Sequence, residues 1–340
     1  MVIVTGATGL VGSHVLLELC SKGKRVKAIV RNKANIRQVE TIFRYYAADP
    51  ERLLCFIEWV EADVSDYARI FEIIDKDDEV FHCAAKVAFS RREKQKVVEI
   101  NIGGTANIVN ACLEKGARKL CHVSSVAAIG RAEHGLPADE SCIWDSMQRH
   151  TVYALSKFHS EMEVWRGIEE GLQAVIVNPS IIIGPTLNIT GTGALLNAVK
   201  QGLKFYPPGS MGFVDVRDVA RVMVSLMDSN IAGERFILNS ENLSYQRFLT
   251  MVANEFQKPA PSIPLKRWMA HVAVVASAAL SILQRKPSSL TREIIQSAFA
   301  HDSFSAAKVM EKLQYRFIPI SDALSNVKRF YDFVEQNNVC

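Results

Sequence analysis

Short apolar runs alternate with segments of helical periodicity through the first half of the chain. The first run covers residues 1–4, and the apolar positions that follow it at helical spacing are Leu10, Val11, Val15, Leu16 and Leu19. Further runs lie at 26–30, 56–60, 79–83, 119–124 and 174–177, with helical segments between them. Strands that alternate with helices predict the α/β class, with a doubly wound parallel sheet (a Rossmann fold) and ligands at the carboxyl ends of its strands.

Three glycines lie where the first apolar run meets the first helical segment. Gly6, Gly9 and Gly12 have the spacing G-x-x-G-x-x-G, which differs by one residue from the usual dinucleotide fingerprint. Glycines at such a turn permit a tight reversal, a close approach of backbone N–H groups to a pyrophosphate, and close packing of the helix, whose N-terminus attracts the anion. The turn therefore predicts nucleotide binding, and a purely structural turn is the alternative.

The second predicted strand, 26–30, ends without a carboxylate. An acidic side chain at this place selects NAD through the adenosine ribose, but here Arg31 follows Val30. A guanidinium can pair with a 2′-phosphate through two hydrogen bonds, so we predict NADP as the cofactor, with NAD as the other option. The alternative for Arg31 is a solvated loop residue.

The alternation of strands and helices breaks after the apolar residues 181–183, at Gly184-Pro185. Residues 212–221 and 235–238 are predicted to return to the main sheet, and helices dominate beyond residue 242. We therefore predict a nucleotide-binding domain of residues 1–183 with 213–240. Residues 184–212 with 241–340 are predicted to form a smaller, mainly helical substrate-binding lobe.

Composition and charge exclude several functional classes. The chain has 340 residues, 49% of them apolar, and its net charge of +4 comes from 40 basic and 36 acidic residues without a basic stripe, which argues against a nucleic-acid partner. Its seven cysteines are scattered without a C-x-x-C pair, so we expect no metal site, and buried thiols in a reducing, cytoplasmic location. Because the first strand begins at residue 1, we expect no secretory signal peptide.

The most apolar segment covers residues 268–283. Its 16 residues fall short of the about 20 that a membrane-spanning helix requires, so we expect no transmembrane segment. We predict a buried or pocket-lining helix. Contact with a membrane surface is the alternative, because basic residues flank the segment at Lys266, Arg267, Arg285 and Lys286.

Residues with acid–base chemistry follow the fifth predicted strand. Ser124 and Ser125 close that strand, and Tyr153 and Lys157 lie four residues apart on the next helix, hence on one face. A phenol titrates near 10, so it is useful at neutral pH only beside a cation, which Lys157 supplies. Ser125 would then hold a substrate carbonyl while Tyr153 transfers the proton. By contrast, His82 lies inside an apolar strand and is expected to be a hydrogen-bonded core residue.

In this order these segments resemble the extended short-chain dehydrogenase/reductase superfamily, the NAD-dependent epimerase/dehydratase family, across essentially the whole chain. The matching segments are T-G-A-T-G-L-V-G at 5–12, A-D-V at 62–64, H-C-A-A at 82–85, N-I-G-G-T at 101–105, V-S-S at 123–125, Y-A-L-S-K at 153–157 and F-V-D-V-R-D-V-A at 213–220. The resemblance implies a catalytic trio of Ser125, Tyr153 and Lys157, Ser125 being chosen over Ser124 because it stands five residues before Gly130. It also implies a homodimer through the helices that carry Asn101 and Tyr153.

The resemblance further implies a set of cofactor-binding residues. The set comprises Gly6, Thr8, Gly9, Leu10, Val11, Gly12, Arg31, Asp63, Val64, Ala84, Ala85, Lys157, Pro179 and Ser180. Asp63 and Val64 are expected at the adenine, and Ala84 and Ala85 are small enough for the cofactor to lie against the backbone.

Two departures from the family pattern bear on the substrate. Sugar-nucleotide enzymes commonly carry an asparagine three residues before the Gly-Pro and an arginine two residues before F-V, whereas this chain has Ile181 and Met211. Neither side chain can balance a diphosphate. The segments V-N-P-S-I-I-I-G-P and V-R-N resemble the branch of dihydroflavonol 4-reductases and 3β-hydroxysteroid dehydrogenases. We therefore predict reduction of a small apolar or aromatic carbonyl compound, or oxidation of a secondary alcohol. A sugar-nucleotide epimerase or dehydratase and a non-catalytic cofactor-binding protein are the alternatives.

Overall fold

Seven parallel strands form the central sheet of the protein. The computed structural model describes residues 1–87, 93–132, 135–145, 147, 150–187, 191–270, 295 and 298–337. The strands of the sheet are β1 (Val2–Thr5), β2 (Val26–Val30), β3 (Ile57–Glu61), β4 (Glu79–His82), β5 (Lys119–Val123), β6 (Ala174–Pro179) and β10 (Glu234–Leu238). Their spatial order is β3-β2-β1-β4-β5-β6-β10, with every neighbouring pair parallel. The doubly wound parallel sheet is confirmed, and its strand order reverses between β1 and β4.

Helices cover both faces of this sheet. The described helices are α1 (Leu10–Ser21), α2 (Ile36–Tyr46), α3 (Pro50–Leu54), α4 (Tyr67–Ile73), α5 (Lys94–Val98), α6 (Gly104–Lys115), α7 (Val152–Glu169), α8 (Thr192–Lys200), α9 (Val216–Asp228), α10 (Tyr245–Glu255), α11 (Ala307–Leu313) and α12 (Ile320–Gln336). A π-helical turn, Glu99–Gly103, joins α5 to α6. Apolar residues of α1 and α9, among them Leu16 and Met223, form the core on one face. Residues of α4, α6 and α7, among them Ile108 and Val164, form the core on the other face.

The strands between β6 and β10, and those after β10, build two smaller sheets. These strands are β7 (Ile181–Ile183), β8 (Phe205–Tyr206), β9 (Ser210–Asp215), β11 (Glu241–Ser244) and β12 (Ile263–Pro264). One small sheet has the order β11-β9-β7, and the other pairs β12 with β8. The prediction that residues 212–221 return to the main sheet is therefore wrong for β9, which pairs with β7 and β11 instead. Of residues 212–221, those that begin α9 belong to a helix that packs on α1. The prediction that residues 235–238 return to the main sheet is confirmed by β10. The apolar pattern of β9 suits either sheet, because periodicity does not identify the partner strand.

A third apolar cluster includes Leu196 of α8, Phe248 of α10 and Leu324 of α12, from the predicted substrate-binding lobe, and also Ile183 and Phe213, from the predicted nucleotide-binding domain. The segment 268–283 lies outside the described residues from position 271 onward. In the part of the chain that the structure describes, no helix is long and apolar enough to cross a bilayer.

Candidate active site

The glycine turn between β1 and α1 lies beside the end of β4, where the strand order reverses. Gly6 has a φ of +63°, in the left-handed region that favours glycine, and a Cβ there would approach the backbone nitrogen of Ala84 to 2.6 Å. A side chain at Gly12 would collide with the backbone of Gly6. Both glycines are therefore required by the local backbone, one for its conformation and the other for close packing.

The first turn of α1 offers unpaired N–H groups at the carboxyl end of the sheet. Gly9 caps the helix, and its own N–H donates to the carbonyl of Gly6 across 2.9 Å. Leu10, Val11 and Gly12 follow as the first helical residues, without an acidic residue in that turn. Since the first N–H groups of a helix lack intrahelical acceptors, this turn fits a pyrophosphate. Thr8 lies partly exposed at the same turn.

The residues predicted for the adenosine lie at the ends of β2 and β3. Arg31 is exposed immediately after β2. The Asp63 carboxylate accepts hydrogen bonds from the N–H and the hydroxyl of Ser65, at 3.0 and 2.8 Å. The buried Val64 packs against Gly104 of α6, and its carbonyl accepts a hydrogen bond from Asn107 at 2.9 Å. Asn107 is not among the residues predicted for the adenosine, because its position on α6 gives no signal of this contact.

The residues at the end of β4 lie directly against the glycine turn. The N–H of Ala84 donates to the Thr5 hydroxyl at 3.2 Å, and Ala85 is exposed. The buried His82 ring lies within hydrogen-bond distance of the hydroxyls of Thr5 (2.7 Å) and Thr105 (3.0 Å). Burial lowers the pKa of His82 to about 3, so this histidine is neutral. The prediction of a hydrogen-bonded core histidine is confirmed.

Asn101 connects the segment after β4 to the helix that carries Tyr153. Its amide accepts a hydrogen bond from the N–H of Lys86 at 2.7 Å and donates to the carbonyl of the same residue at 3.0 Å. It also donates to the Ser156 hydroxyl at 2.9 Å. The buried Asn101 lies in the π-helical turn, and its bond to Ser156 links this turn to α7.

Tyr153 and Ser125 meet at the carboxyl edge of the sheet. Thr151 caps α7 by accepting a hydrogen bond from the N–H of Ala154 at 2.9 Å, so Tyr153 lies in the first turn. Burial raises the pKa of Tyr153 above its usual value, and a hydrogen bond with Ser125 lowers it. The Ser125 hydroxyl also accepts the N–H of Ala127 at 3.2 Å, which leaves the serine proton available for another acceptor.

Lys157 is buried one turn further along α7. Its ammonium donates to the carbonyl of Val123 at 2.8 Å. Burial lowers the pKa of Lys157 to about 8, while the Glu161 carboxylate favours the charged form. Lys157 is therefore cationic at neutral pH, and it lies on the helix face that also carries the Tyr153 phenol.

Ser124 has a different environment from Ser125. Its hydroxyl donates to the buried carboxylate of Glu161 at 2.6 Å. The structure therefore brings Ser125, and not Ser124, to Tyr153. Pro179 and Ser180 complete this edge at the end of β6, where both the N–H and the hydroxyl of Ser180 donate to the carbonyl of Leu238, at 3.0 and 3.2 Å.

Comparison with protein families gives this arrangement a context. The model of the NAD dependent epimerase/dehydratase family matches residues 2–239. The chain belongs to this family. Membership confirms the resemblance seen in the sequence, and it makes the protein an NAD(P)-dependent, oxidoreductase-type enzyme of the extended short-chain dehydrogenase/reductase class.

Among curated relatives, the chain is similar to the "Putative dihydroflavonol 4-reductase" of Synechocystis sp., with 28% identity over 96% of this chain and 93% of that protein. It is 31% identical to cinnamoyl-CoA reductase 1 of Arabidopsis thaliana, over 70% of this chain and 69% of the relative. The crystal structure of gox2253 superposes with a TM-score of 0.80 at 29% identity, covering 100% of this chain and 99% of that one.

The residues present fit the family's dinucleotide cofactor. The first N–H groups of α1 have no intrahelical acceptors, and the first turn of that helix carries no acidic residue to compete with a pyrophosphate. Lys157 offers a cation at the same edge of the sheet.

Proposed function

We propose that this enzyme reduces the carbonyl group of a small apolar or aromatic substrate, with NADPH as hydride donor and Tyr153 as general acid. The observation that carries the proposal is the grouping of the Tyr153 phenol, the Ser125 hydroxyl and the buried Lys157 ammonium at the carboxyl edge of the sheet. Ser125 follows β5, and Tyr153 and Lys157 lie on α7. In the sheet, β4 separates β5 from β1, the strand that leads to the glycine turn.

Each group has a defined role in the proposed reaction. The bound reduced nicotinamide supplies a hydride to the carbonyl carbon. Ser125 donates a hydrogen bond to the carbonyl oxygen, and Tyr153 transfers its phenolic proton to that oxygen as the C=O π electrons move onto it. Lys157 stabilises the resulting phenolate, which then recovers a proton from solvent. Burial raises the pKa of Tyr153, so the phenol is protonated at neutral pH and depends on Ser125 and Lys157 to stabilise the phenolate that the transfer leaves.

Cofactor choice rests on Arg31. The exposed guanidinium follows β2, where an acidic residue would accept hydrogen bonds from the ribose of NAD. A 2′-phosphate offers the guanidinium a charge-assisted partner, so we propose that NADP(H) is preferred over NAD(H).

The substrate class rests on the surroundings of Ser125. Val126, in the turn that Ser125 begins, belongs to an apolar cluster with Ile129 and Phe304, and Met211 packs against it. Ile181 packs against the third apolar cluster. An apolar environment disfavours the burial of a diphosphate. Cinnamoyl and dihydroflavonol groups, named in the two relatives, are aromatic. We propose that residues 184–212 with 241–340 bind such a substrate.

Turnover of a carbonyl panel tests this proposal. Aromatic and aliphatic aldehydes, ketones and aromatic acyl thioesters are offered with NADPH or NADH, and loss of the reduced nicotinamide is followed by absorbance. We expect turnover of an apolar member with NADPH. The alternative, a sugar-nucleotide substrate, is tested by calorimetry with UDP- and dTDP-sugars at saturating NADP(H). Micromolar binding of any sugar nucleotide would overturn the substrate assignment in favour of epimerisation.

A further inference from the structure

A buried carboxylate lies one helical turn beyond Lys157. Glu161 has no exposed surface, and both of its oxygens accept hydrogen bonds. Oε2 accepts from the Ser124 hydroxyl at 2.6 Å and from the Asn178 amide at 2.8 Å. Oε1 accepts from Arg235 at 3.1 Å and from the Trp165 indole at 3.3 Å. One side chain thus connects α7 to the carboxyl ends of β5 and β6 and to β10.

The orientation of the Asn178 amide follows from its two neighbours. A carboxylate and a backbone carbonyl only accept hydrogen bonds, so the NH₂ group must face both Glu161 and the carbonyl of Ser125, to which it donates at 3.0 Å. Asn178 is fully buried. The backbone of Ser125 is therefore held by an amide whose direction Glu161 sets.

Arg235 extends these contacts to the segment between β5 and α7. Its guanidinium donates to the carbonyls of Glu140 (2.7 Å) and Cys142 (3.2 Å), in addition to Glu161. The Glu140 carboxylate in turn accepts the N–H of Ile237 at 2.7 Å. Residues 140–142, which lie between Ser125 and Tyr153 in the sequence, are thus fixed to β10 by the same cation that neutralises Glu161.

We propose that Glu161 and Arg235 are a positioning pair, which acts through Asn178 to hold Ser125 in register with Tyr153 and Lys157. The proposal rests on the proposed function, in which these three groups must act on one carbonyl. A buried ion pair is weak evidence of a role in stability, since apolar replacements often fold as well. The reaction rate depends more strongly on the placement of these groups, because a displacement of about 1 Å at a reacting group can cost about 10²-fold in rate.

The test uses Glu161→Gln in the full-length protein, because glutamine keeps the shape but cannot accept from Ser124, Asn178 and Arg235 together. The matched control is Asp218→Asn. Asp218 is also a buried carboxylate with two short hydrogen bonds, from the Tyr315 hydroxyl (2.7 Å) and the N–H of Ile318 (2.8 Å), but it lies on α9. Arg235→Lys is the second variant if Glu161→Gln does not fold. Lysine keeps the positive charge but lacks the planar guanidinium that donates to Glu161, Glu140 and Cys142 together.

We expect Glu161→Gln to lower kcat by about 10- to 10²-fold, with cofactor affinity and KM little changed. The fall in rate at alkaline pH should also move to lower pH, because the Glu161 carboxylate raises the pKa of Lys157. The groups that face Glu161 are Arg235, Ser124, Asn178, Trp165 and Lys157. The other titratable groups close to Lys157 are Cys83, His82 and His122, and burial keeps both histidines neutral. Asp218→Asn is expected to lose rate only in proportion to its loss of thermal stability. If Glu161→Gln behaves in the same way and its pH profile is unchanged, the proposal is overturned.

A second readout needs no substrate. Ultraviolet difference titration, with Tyr153→Phe as the reference, reports the pKa of Tyr153, which the Ser125 hydrogen bond lowers. Displacement of Ser125 in Glu161→Gln should raise this pKa, whereas Asp218→Asn should leave it unchanged. An unchanged pKa in Glu161→Gln overturns the positioning role, whereas failure of the wild-type protein to reduce any carbonyl overturns the proposed function.

Discussion

The ammonium of Lys157 donates a hydrogen bond to the carbonyl of Val123 across 2.8 Å, so the helix that carries Tyr153 is fixed to the strand that leads to Ser125. This bond also holds a cation in a buried place, where burial lowers its pKa to about 8. The cation is therefore available at neutral pH and is lost within the alkaline range in which enzymes are routinely assayed.

The pH dependence of reduction should report this loss. Below about pH 8 Lys157 is protonated and the rate should be constant, and above it the rate should fall as the ammonium deprotonates. Lys157→Arg is the control, because a guanidinium stays charged throughout. A wild-type rate that is constant well above pH 8 would show that the charge of Lys157 is not needed.

Tyr153→Phe should reduce turnover by about 10²- to 10⁴-fold, since it removes the proton donor. Cofactor affinity, measured by calorimetry with NADP(H), should be retained because the phenyl ring keeps its place on α7. Full activity of this variant on an identified substrate would contradict the acid–base assignment and favour another proton donor.

The two adjacent serines should separate activity from stability. Ser125→Ala should lower kcat by about 10²- to 10³-fold through loss of the donor to the carbonyl oxygen, and loss of the hydrogen bonds with Ala127 and Tyr153 should cost about 1 kcal/mol of stability. Ser124→Ala removes a 2.6 Å hydrogen bond to buried Glu161 and should cost about 1–3 kcal/mol of stability. Steady-state kinetics and chemical denaturation measure the two effects. A large loss of kcat in Ser124→Ala, with kcat retained in Ser125→Ala, would mean that Ser124 is the substrate-binding serine.

Arg31→Ala should narrow the preference for NADPH over NADH, because a charge-assisted contact contributes about 1.5–3 kcal/mol. Binding of both reduced cofactors to the wild-type and variant proteins measures the change. Equal or tighter binding of NADH by the wild-type protein would remove the argument from Arg31.

Stability in acid should depend on buried neutral histidines. Burial lowers the pKa of His82 to about 3 and that of His14 to about 4, and it also lowers the pKa of His122. Below pH 6.5 the unfolded chain binds protons that the folded chain does not, so stability should fall with pH, by up to about 1.4 kcal/mol per pH unit for each histidine.

His122 offers a test of this dependence. Neither of its ring nitrogens has a hydrogen-bond partner among the described residues. His122→Phe should therefore fold at least as stably at neutral pH and lose stability less steeply between pH 6.5 and 5 than the wild-type protein. Thermal midpoints across this range measure the slope, and an unchanged slope would exclude His122 as a contributor.

The parts of the site that sequence alone predicts are those encoded by neighbouring residues. The glycine turn needs Gly6 and Gly12 within one strand-to-helix connection, and the helix period places Tyr153 and Lys157 on one face. Ser125 was identified by resemblance, and its hydrogen bond with Tyr153 agrees with that choice.

The parts that sequence does not predict depend on contacts between distant segments. Glu161 and Arg235 are 74 residues apart, and as single charged residues they suggest only a solvated surface. β9 has a strand pattern that leaves its partners β7 and β11 undetermined. Such contacts follow from the topology, because each strand end is brought to the same edge only after the sheet is assembled.

Transfer of deuterium from the cofactor to the product tests the proposed hydride transfer. NADPH carrying deuterium at the transferring carbon is incubated with the enzyme and a carbonyl substrate, and the product is examined by mass spectrometry. We expect one deuterium in the alcohol for each NADP⁺ formed, with the transfer nearly abolished in Tyr153→Phe. Product without the label, or deuterated cofactor left unchanged by every carbonyl compound, would contradict the proposed hydride transfer.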